Sequence, residues 1–428
     1  MKKWLALILS LAVVLTLFAG CREDIPDPTQ PPRQTEKVPY EAQTDEQIYR
    51  DVKLRYLSNL AQSDPEVVAL YQAAEVFEAR TGAQVEFVWL GDMGVRPAGY
   101  LSGGEQADIF EATLAELASD CKNFALDLTE LVRTSEYESR SHSVLRQQVL
   151  DQCGGFLGIV HRPVLYGMYY NLDAFDFSGV GHIPSSWEEY MATCSKLIAG
   201  GYVPFTMDVE NSHLALELHM ERSLGHARLT QLMQEGGWKQ DETALELIRR
   251  IVEFVELGYM AKWTPATFPA GQNKLASSNV AMAAGSNRMC AQVERDTCMN
   301  INWGVFAYPG TGEGCGLFVD SEVLGVHKDT ANAKAAFDFL LLLTTGEFDQ
   351  LRADVSLGIP ADPNNISPIA GADACLGSAQ PRMPGLMQSA DCETYSRIWS
   401  GWYKVADYFA NALNQIAYRT PKQPQATQ

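Results

Sequence analysis

Fifty-three acidic residues in a chain of 428 make close carboxylate pairs unavoidable. What such a pair could do, glycoside hydrolysis across a cleft, depends on a separation that composition does not supply. Other catalytic groups lack their partners. There is no Gly-x-Ser-x-Gly elbow and no His-Glu-x-x-His, so neither an activated serine nor a zinc-bound water is encoded at a familiar spacing. The seven histidines do not cluster, and His213 and His219 lie six apart on an expected helix, too far round to share one face. The glycines at 310, 312, 314 and 316 lack the Lys-Ser/Thr ending and following helix of a phosphate loop, and read as a flexible turn. None of the nine cysteines stands in a Cys-x-x-Cys, which removes the common zinc patterns. A binding protein, not an enzyme, is expected, with no metal and no cofactor.

The amino terminus encodes a different cysteine chemistry. Met1-Lys2-Lys3 precede an apolar run from Trp4 to Phe18, followed by Ala19-Gly20-Cys21. A basic start, an apolar stretch and two small residues form an export signal over residues 1–20. The cysteine directly after them resembles a bacterial lipobox, with Phe18 where Leu, Val or Ile is usual, so the Cys21 thiol is expected to carry a lipid. A plain cleaved signal and an uncleaved anchor are the alternatives, the run falling just short of the ~20 apolar residues of a spanning helix. All three place the chain outside the cytoplasmic membrane. Residues 21–48 hold Pro26, Pro28, Pro31, Pro32 and Pro39 among polar residues, the composition of a solvated tether. A net charge of −20 argues against nucleic acid and anionic lipid surfaces, and weakly against an acidic ligand unless a local arginine pocket overrides the global field. The eight cysteines after Cys21 permit disulfides, Cys290 with Cys298 and Cys375 with Cys392 being closest, but the simplest reading is that most are buried small hydrophobes.

Hydrophobic content of 46 % with 10 % aromatics is that of a folded chain. Val52 to Leu57 alternates as a strand does. Ser63-Asp64-Pro65-Glu66 supplies a cap candidate and a proline for the first helical position, then Val67, Tyr71, Ala74 and Phe77 recur at helical spacing. Gly82 ends that helix, and Val85 to Leu90 reads as a second strand. This is a β-α-β unit, which implies parallel strands and a right-handed crossover. Ala107 to Phe110 is a third short strand, and the alternation continues, so the class is α/β. Further on, Ser185 or Ser186 can cap a helix opened by Trp187-Glu188-Glu189, where Trp187 reads as a packing anchor.

In this order the segments resemble the extracellular solute-binding proteins of ABC importers, in the family that mostly carries sugars and oligosaccharides. Thr81-Gly82-Ala83-Gln84-Val85 is similar to the family's T-G-x-x-V, and Ala107-Asp108-Ile109 to its P-D-I. Met168-Tyr169-Tyr170-Asn171 through Phe175 is similar to x-Y-Y-N-x-x-x-F, Pro184 to Glu188 to P-x-T-W-x-E, Ser278 to Met282 to G-x-x-A-M, and Gly358-Ile359-Pro360 to G-x-P. Gly154 to Ile159 departs from the usual G-K-x-Y-x-x-P, lacking the lysine, tyrosine and proline. The resemblance implies a two-lobed, periplasmic-binding-protein-like fold with the ligand in an interlobe cleft. Lobe I would combine about 50–163 with 308–358, and lobe II about 165–306 with 360–418, joined near Arg162–Tyr166, Phe306–Gly310 and Gly358–Ala361. It implies capture of a carbohydrate, an oligosaccharide, and delivery to an ABC permease by a monomer that Cys21 anchors to the cell membrane. A peptide or polyamine binder is the alternative within binding; a surface adhesin or a glycosidase are the others.

A sugar offers flat C–H faces and a rim of hydroxyls, so its site needs an aromatic platform with carboxylates, amides or arginine around it. Residues of those types stand in loops after the expected strands: Asn59 after the first, Trp89 and Asp92 after the second, Phe110 and Glu111 after the third. Arg162 and Tyr166 flank the implied crossing, Asp208 and Asn211 follow Pro204-Phe205, and Ser286, Asn287 and Arg288 follow Ala281-Met282. The family commonly has an aromatic residue at the Ser286–Arg288 position, and Trp303, Trp399 and Trp402 are the substitutes available. Asp108 and Glu111 have a second reading as helix caps, and Arg288 as partner to a carboxylate such as Glu294.

Overall fold

The computed structural model describes residues 48–381, except 236, 238, 239, 263, 311 and 313. Cys21, the tether, Cys392, Trp399, Trp402 and the end of the implied lobe II lie outside the described residues. Among the described residues no helix is long and apolar enough to cross a membrane.

Lys53–Ser58 (β1) sinks Leu54, Tyr56 and Leu57 completely. Helix Val67–Thr81 (α1) then buries Val67, Leu70, Ala73 and Phe77 on the sheet and stops at Gly82, whose φ of +82° lets its N–H close on the Glu78 carbonyl. Gln84–Trp89 (β2) returns parallel to β1, and Ile109–Thr113 (β3) lies parallel on the other side. The expected β-α-β unit is present, but α1 opens at Val67 and not at Pro65. Asp64 instead closes a turn on the Ala61 N–H at 2.7 Å, and the Glu66 carboxylate turns away to Arg162 at 2.6 Å.

Ile159–Asn171 (β4) is a thirteen-residue strand, buried over twelve of them. Four further strands matter here, Val203–Thr206 (β5), Val280–Ser286 (β6), Trp303–Phe306 (β7) and Phe318–Val326 (β8), with the short Gln380–Pro381 (β9) beside β8. The first half of β4 pairs antiparallel with β8, and its second half, from Tyr166 onward, with β6 and then β7. One continuous sheet results, in the order β2-β1-β3-β8-β4-β6-β5, with β7 added on β4. β1–β3 lie at one end of this sheet and β5–β6 at the other, with β8 and β4 between them. Around the crossing the pleat separates two cores. Leu165 and Tyr169 enter one, and Tyr166, Met168 and Tyr170 enter the other with Trp187, Tyr190 and Phe306.

From β7 the chain reaches β8, which runs antiparallel beside the first half of β4, through the 307–317 segment. That segment contains the glycine-rich loop, which is no flexible turn. A Cβ at Gly312 would stand 2.3 Å from the Ser223 carbonyl oxygen, and Arg222 donates to the carbonyls of Gly312, at 2.7 Å, and of Gly314. Only glycine lets this strap lie so close to the end of its neighbouring helix. Trp187 opens helix Trp187–Ala199 (α2) behind a capping box of Ser186 and Glu189 and is buried against Tyr190, His219 and Phe254. Cys121, Cys153, Cys194 and Cys290 are buried free thiols, and Cys298 is exposed and free, so Cys290 and Cys298 are not bridged.

Phe110 faces Gly325 across the β3–β8 ladder, where an added methyl would lie 2.4 Å from the ring. Gly325→Ala should cost about 1–3 kcal/mol and Phe110→Ala about 3–5 kcal/mol of unfolding free energy in urea titrations. Gly155→Ala, with open space around it, is the control expected to stay within about 0.5 kcal/mol. A Gly325→Ala midpoint equal to wild type would remove Phe110 from this position.

Candidate functional site

A cleft of about 640 Å³ opens beside the carboxyl end of β1, where open α/β sheets place their ligands. One wall is the Asn59–Glu66 loop with Val355–Gly358, the end of helix Gly346–Ser356. The floor is Arg162–Val164 of β4 with Glu322 of β8, and the far wall is helix Asn287–Thr297 (α3), which turns Arg288, Ala291, Gln292 and Arg295 inward. Among the described residues, none that lines it is aromatic.

Asn287 ties α3 to the floor. Its buried Oδ1 accepts the Leu165 N–H at 3.0 Å, just before the β4–β6 pairing begins at Tyr166. On the opposite wall Arg352 donates to Asp349 Oδ1 at 2.9 Å and to the Ile359 carbonyl at 2.7 Å, while Asp349 accepts the N–H groups of Ala361 and Asp362. These bonds hold the segment from Gly358 to Asp362 against the end of the helix before it.

Arg162 is the centre of the floor. Its side chain is 8 % exposed, and each guanidinium nitrogen meets a different carboxylate: Nε to Glu66 at 2.6 Å, Nη2 to Glu111 at 3.2 Å, Nη1 to Glu322 at 3.2 Å. Burial alone would weaken its hold on the proton, but the three carboxylates raise its pKa well above the ordinary value. Glu111 also accepts from Tyr56 Oη at 2.8 Å, Ser58 Oγ at 3.1 Å and the Asn59 N–H at 2.7 Å. Glu322 gives its second oxygen to Arg288. Burial opposes its ionisation, yet Arg288 and Arg162 together hold its carboxyl below the usual range. His161, at the register shift of β4, is kept neutral by burial and by Arg162 and Arg352.

The residues named from sequence thus separate into groups. Asn59, Arg162, Asn287 and Arg288 line the cleft. Glu111 lies beneath it, inside β3 and not in a following loop, and it does not cap a helix; Thr113 and Glu116 form that capping box. Asp108 is likewise no cap, since it accepts the Arg55 N–H at 2.8 Å and the Thr330 hydroxyl. Tyr166 and Phe110 are buried in the two cores, and Ser286 precedes α3 without lining the cleft. Trp89 stacks on Phe87 with centroids 5.3 Å apart, and Asp92 receives the Gln62 N–H at 3.0 Å on the outer side of the Asn59–Glu66 loop. Trp303 is 3 % exposed and donates its indole N–H to Glu294 at 3.0 Å, so it offers no platform. That bond also occupies Glu294, and Arg288 pairs with Glu322 instead. Asp208 is fully buried on the N–H groups of Gly271 and Gln272, and neither it nor Asn211 lines the cleft. Glu66, Glu322, Gln292, Arg295 and Arg352 were not singled out from sequence. Arg295 and Gln292 follow Arg288 by seven and four residues on one helix, a stripe readable once the helix start is known.

Removing Arg162 leaves three carboxylates facing each other in a dry floor. Arg162→Met is expected to lose about 3–5 kcal/mol of stability in urea unfolding, and an unchanged midpoint would show that the network carries no net coupling. Asp320, on β8 beside this network, is 5 % exposed, and burial pushes its pKa up to about 6 against the help of the Ser321 N–H and Arg288. The folded chain then keeps a proton that the unfolded chain releases near pH 4, so this residue's contribution to stability falls as pH rises from about 4 to 6. Asp320→Asn should raise stability at pH 7.5 by about 2–3 kcal/mol and leave it unchanged at pH 3.5. Destabilisation at pH 7.5 would mean that the carboxylate is needed by Arg288.

No curated protein matches the chain. Solved structures do resemble it in fold. The apo form of RafE from Streptococcus pneumoniae has a TM-score of 0.64 at 18 % identity, over 86 % of this chain and 97 % of that one. A chitin oligosaccharide binding protein has a TM-score of 0.59 at 17 % identity, over 86 % and 99 %. A sugar transporter from Bacillus licheniformis in complex with stachyose has a TM-score of 0.55 at 14 % identity, over 85 % and 100 %. These likenesses establish the two-lobed α/β fold with its interlobe cleft. Residues 61–347, two thirds of the chain, match one sequence family of binding proteins that are not enzymes, and the chain accordingly belongs to the bacterial extracellular solute-binding proteins.

Proposed function

We propose that this chain captures a carbohydrate, an oligosaccharide, between its lobes and hands it to an ABC permease in the membrane. The observation that carries this reading is the cleft itself. Its volume of about 640 Å³ lies within the ~300–1,000 Å³ of small-molecule sites, and its lining mixes the amides of Asn59, Asn287, Gln292 and Asn300 with guanidinium and carboxylate groups. That mixture suits a ligand rich in hydroxyls, each of which both donates and accepts. The fold's likeness to proteins crystallised with raffinose and stachyose supports the same class.

Lobe I takes in about 50–163 and 308–358, lobe II about 165–306 and 360–418, with connections near Arg162–Tyr166, Phe306–Gly310 and Gly358–Ala361. A solute touching both walls favours the closed arrangement by as much as it binds that state better, and the permease would read the closed pair. A lipid on Cys21 would keep a monomer beside the permease while residues 21–48 let it search.

A thermal-shift screen of the chain against neutral and acidic oligosaccharides, peptides and polyamines tests this. A ligand at 100 times its dissociation constant adds ~2.7 kcal/mol, enough to move the melting temperature by several degrees. A selective shift with a glycan that is recovered unaltered is the expected outcome. A shift with polyamines or peptides alone, or a cleaved glycan, would overturn it.

A further inference from the structure

The donor and acceptor groups of the cleft do not balance. Glu66 is taken by Arg162, and Glu322 by Arg162 and Arg288. Glu294 accepts the Ile301 N–H and the Trp303 indole, and Asp64 accepts the Ala61 N–H. Every carboxylate on the lining therefore already holds a donor. The cations differ. Arg162 is buried with every guanidinium nitrogen engaged, and Arg352 is buried with Nη2 held by Asp349 and the Ile359 carbonyl, but Arg288 is half-exposed with only Nη2 engaged, and Arg295 is exposed with no ion pair among the described residues.

Arg288 and Arg295 stand seven residues apart on the stripe of α3 that faces the cleft, about 10 Å along the axis, with Gln292 between them. Guanidinium groups are planar forks that match a carboxylate or a sulfate bidentately. Among the described residues no aromatic side chain lines the cleft to offer stacking in their place.

Resting on the carbohydrate reading, we infer that the solute is an anionic glycan whose carboxylate or sulfate groups are held by Arg288 and Arg295. A net charge of −20 repels such a ligand at long range, so the two arginines act as the local pocket that overrides the global field.

The test is calorimetric titration of the full chain with uronate oligosaccharides of several linkages, their methyl esters, sulfated oligosaccharides and neutral oligosaccharides. An acidic glycan should bind, its neutral counterpart should bind about tenfold or more weakly, and Arg295→Gln should cut the acidic affinity about ten- to a hundredfold, by more than it cuts any neutral binding. Arg295→Lys should recover part of the loss. Preference for carboxylate over sulfate, or the reverse, identifies the anion. Neutral glycans binding as tightly as acidic ones, with Arg288→Gln and Arg295→Gln both silent, would overturn the anionic assignment and leave the carbohydrate reading standing. Binding of nothing in the panel would overturn both.

Discussion

A full positive charge with almost no access to water sits where the two lobes meet. Arg162 survives there because three carboxylates replace its hydration, and they come from the start of α1, from β3 and from β8. The cost of desolvating such a group is several kcal/mol and is repaid only in good geometry. Any displacement of the sheet's crossing strands against α1 would strand a buried charge, so the network fixes their register more than it adds stability. Glu111, with four donors, serves the same end by joining the tip of β1 to the floor.

That constraint divides the labour within the cleft. Arg162 has spent every guanidinium nitrogen on the protein, which makes it a positioning residue. Through Glu322 it also orients Arg288, whose remaining N–H groups face the open space. The wall opposite α3 is held by bonds already made, such as Asp349 to Arg352 and to the Ala361 and Asp362 N–H groups. The α3 wall keeps spare donors. A solute that engages them while resting on the opposite wall gains contacts only when the walls approach, which is what couples occupancy to closure in a two-lobed binder.

The β-α-β start was legible because alternation, a glycine in the left-handed region at the helix end and apolar helical spacing are local signals; Gly82, Phe77 and Leu54 each took the place their neighbours predict. Trp187 was legible for the same reason, as the first residue behind a capping box. The site was less so. Side-chain type alone placed Asn59, Arg162, Asn287 and Arg288 on the cleft, but also drew in Phe110, Tyr166 and Trp303, which the cores absorb. A strand end alternates between cleft and core every residue, so an error of one position moves a side chain from one to the other.

By itself the sequence determined the α/β class, the order of the segments, the family to which they belong and the chemical types available to a ligand. Those follow from short-range periodicity and from motifs in order. Tertiary structure decided that β8 pairs along the first half of β4, and that the glycines near 312 are a packed strap. It also decided which arginines of the cleft are spent on the protein and which, among the described residues, keep spare donors. Those outcomes depend on partners 50 to 160 residues away, as Glu111 and Glu322 are from Arg162, and no local spacing encodes whether a guanidinium has already found its carboxylate.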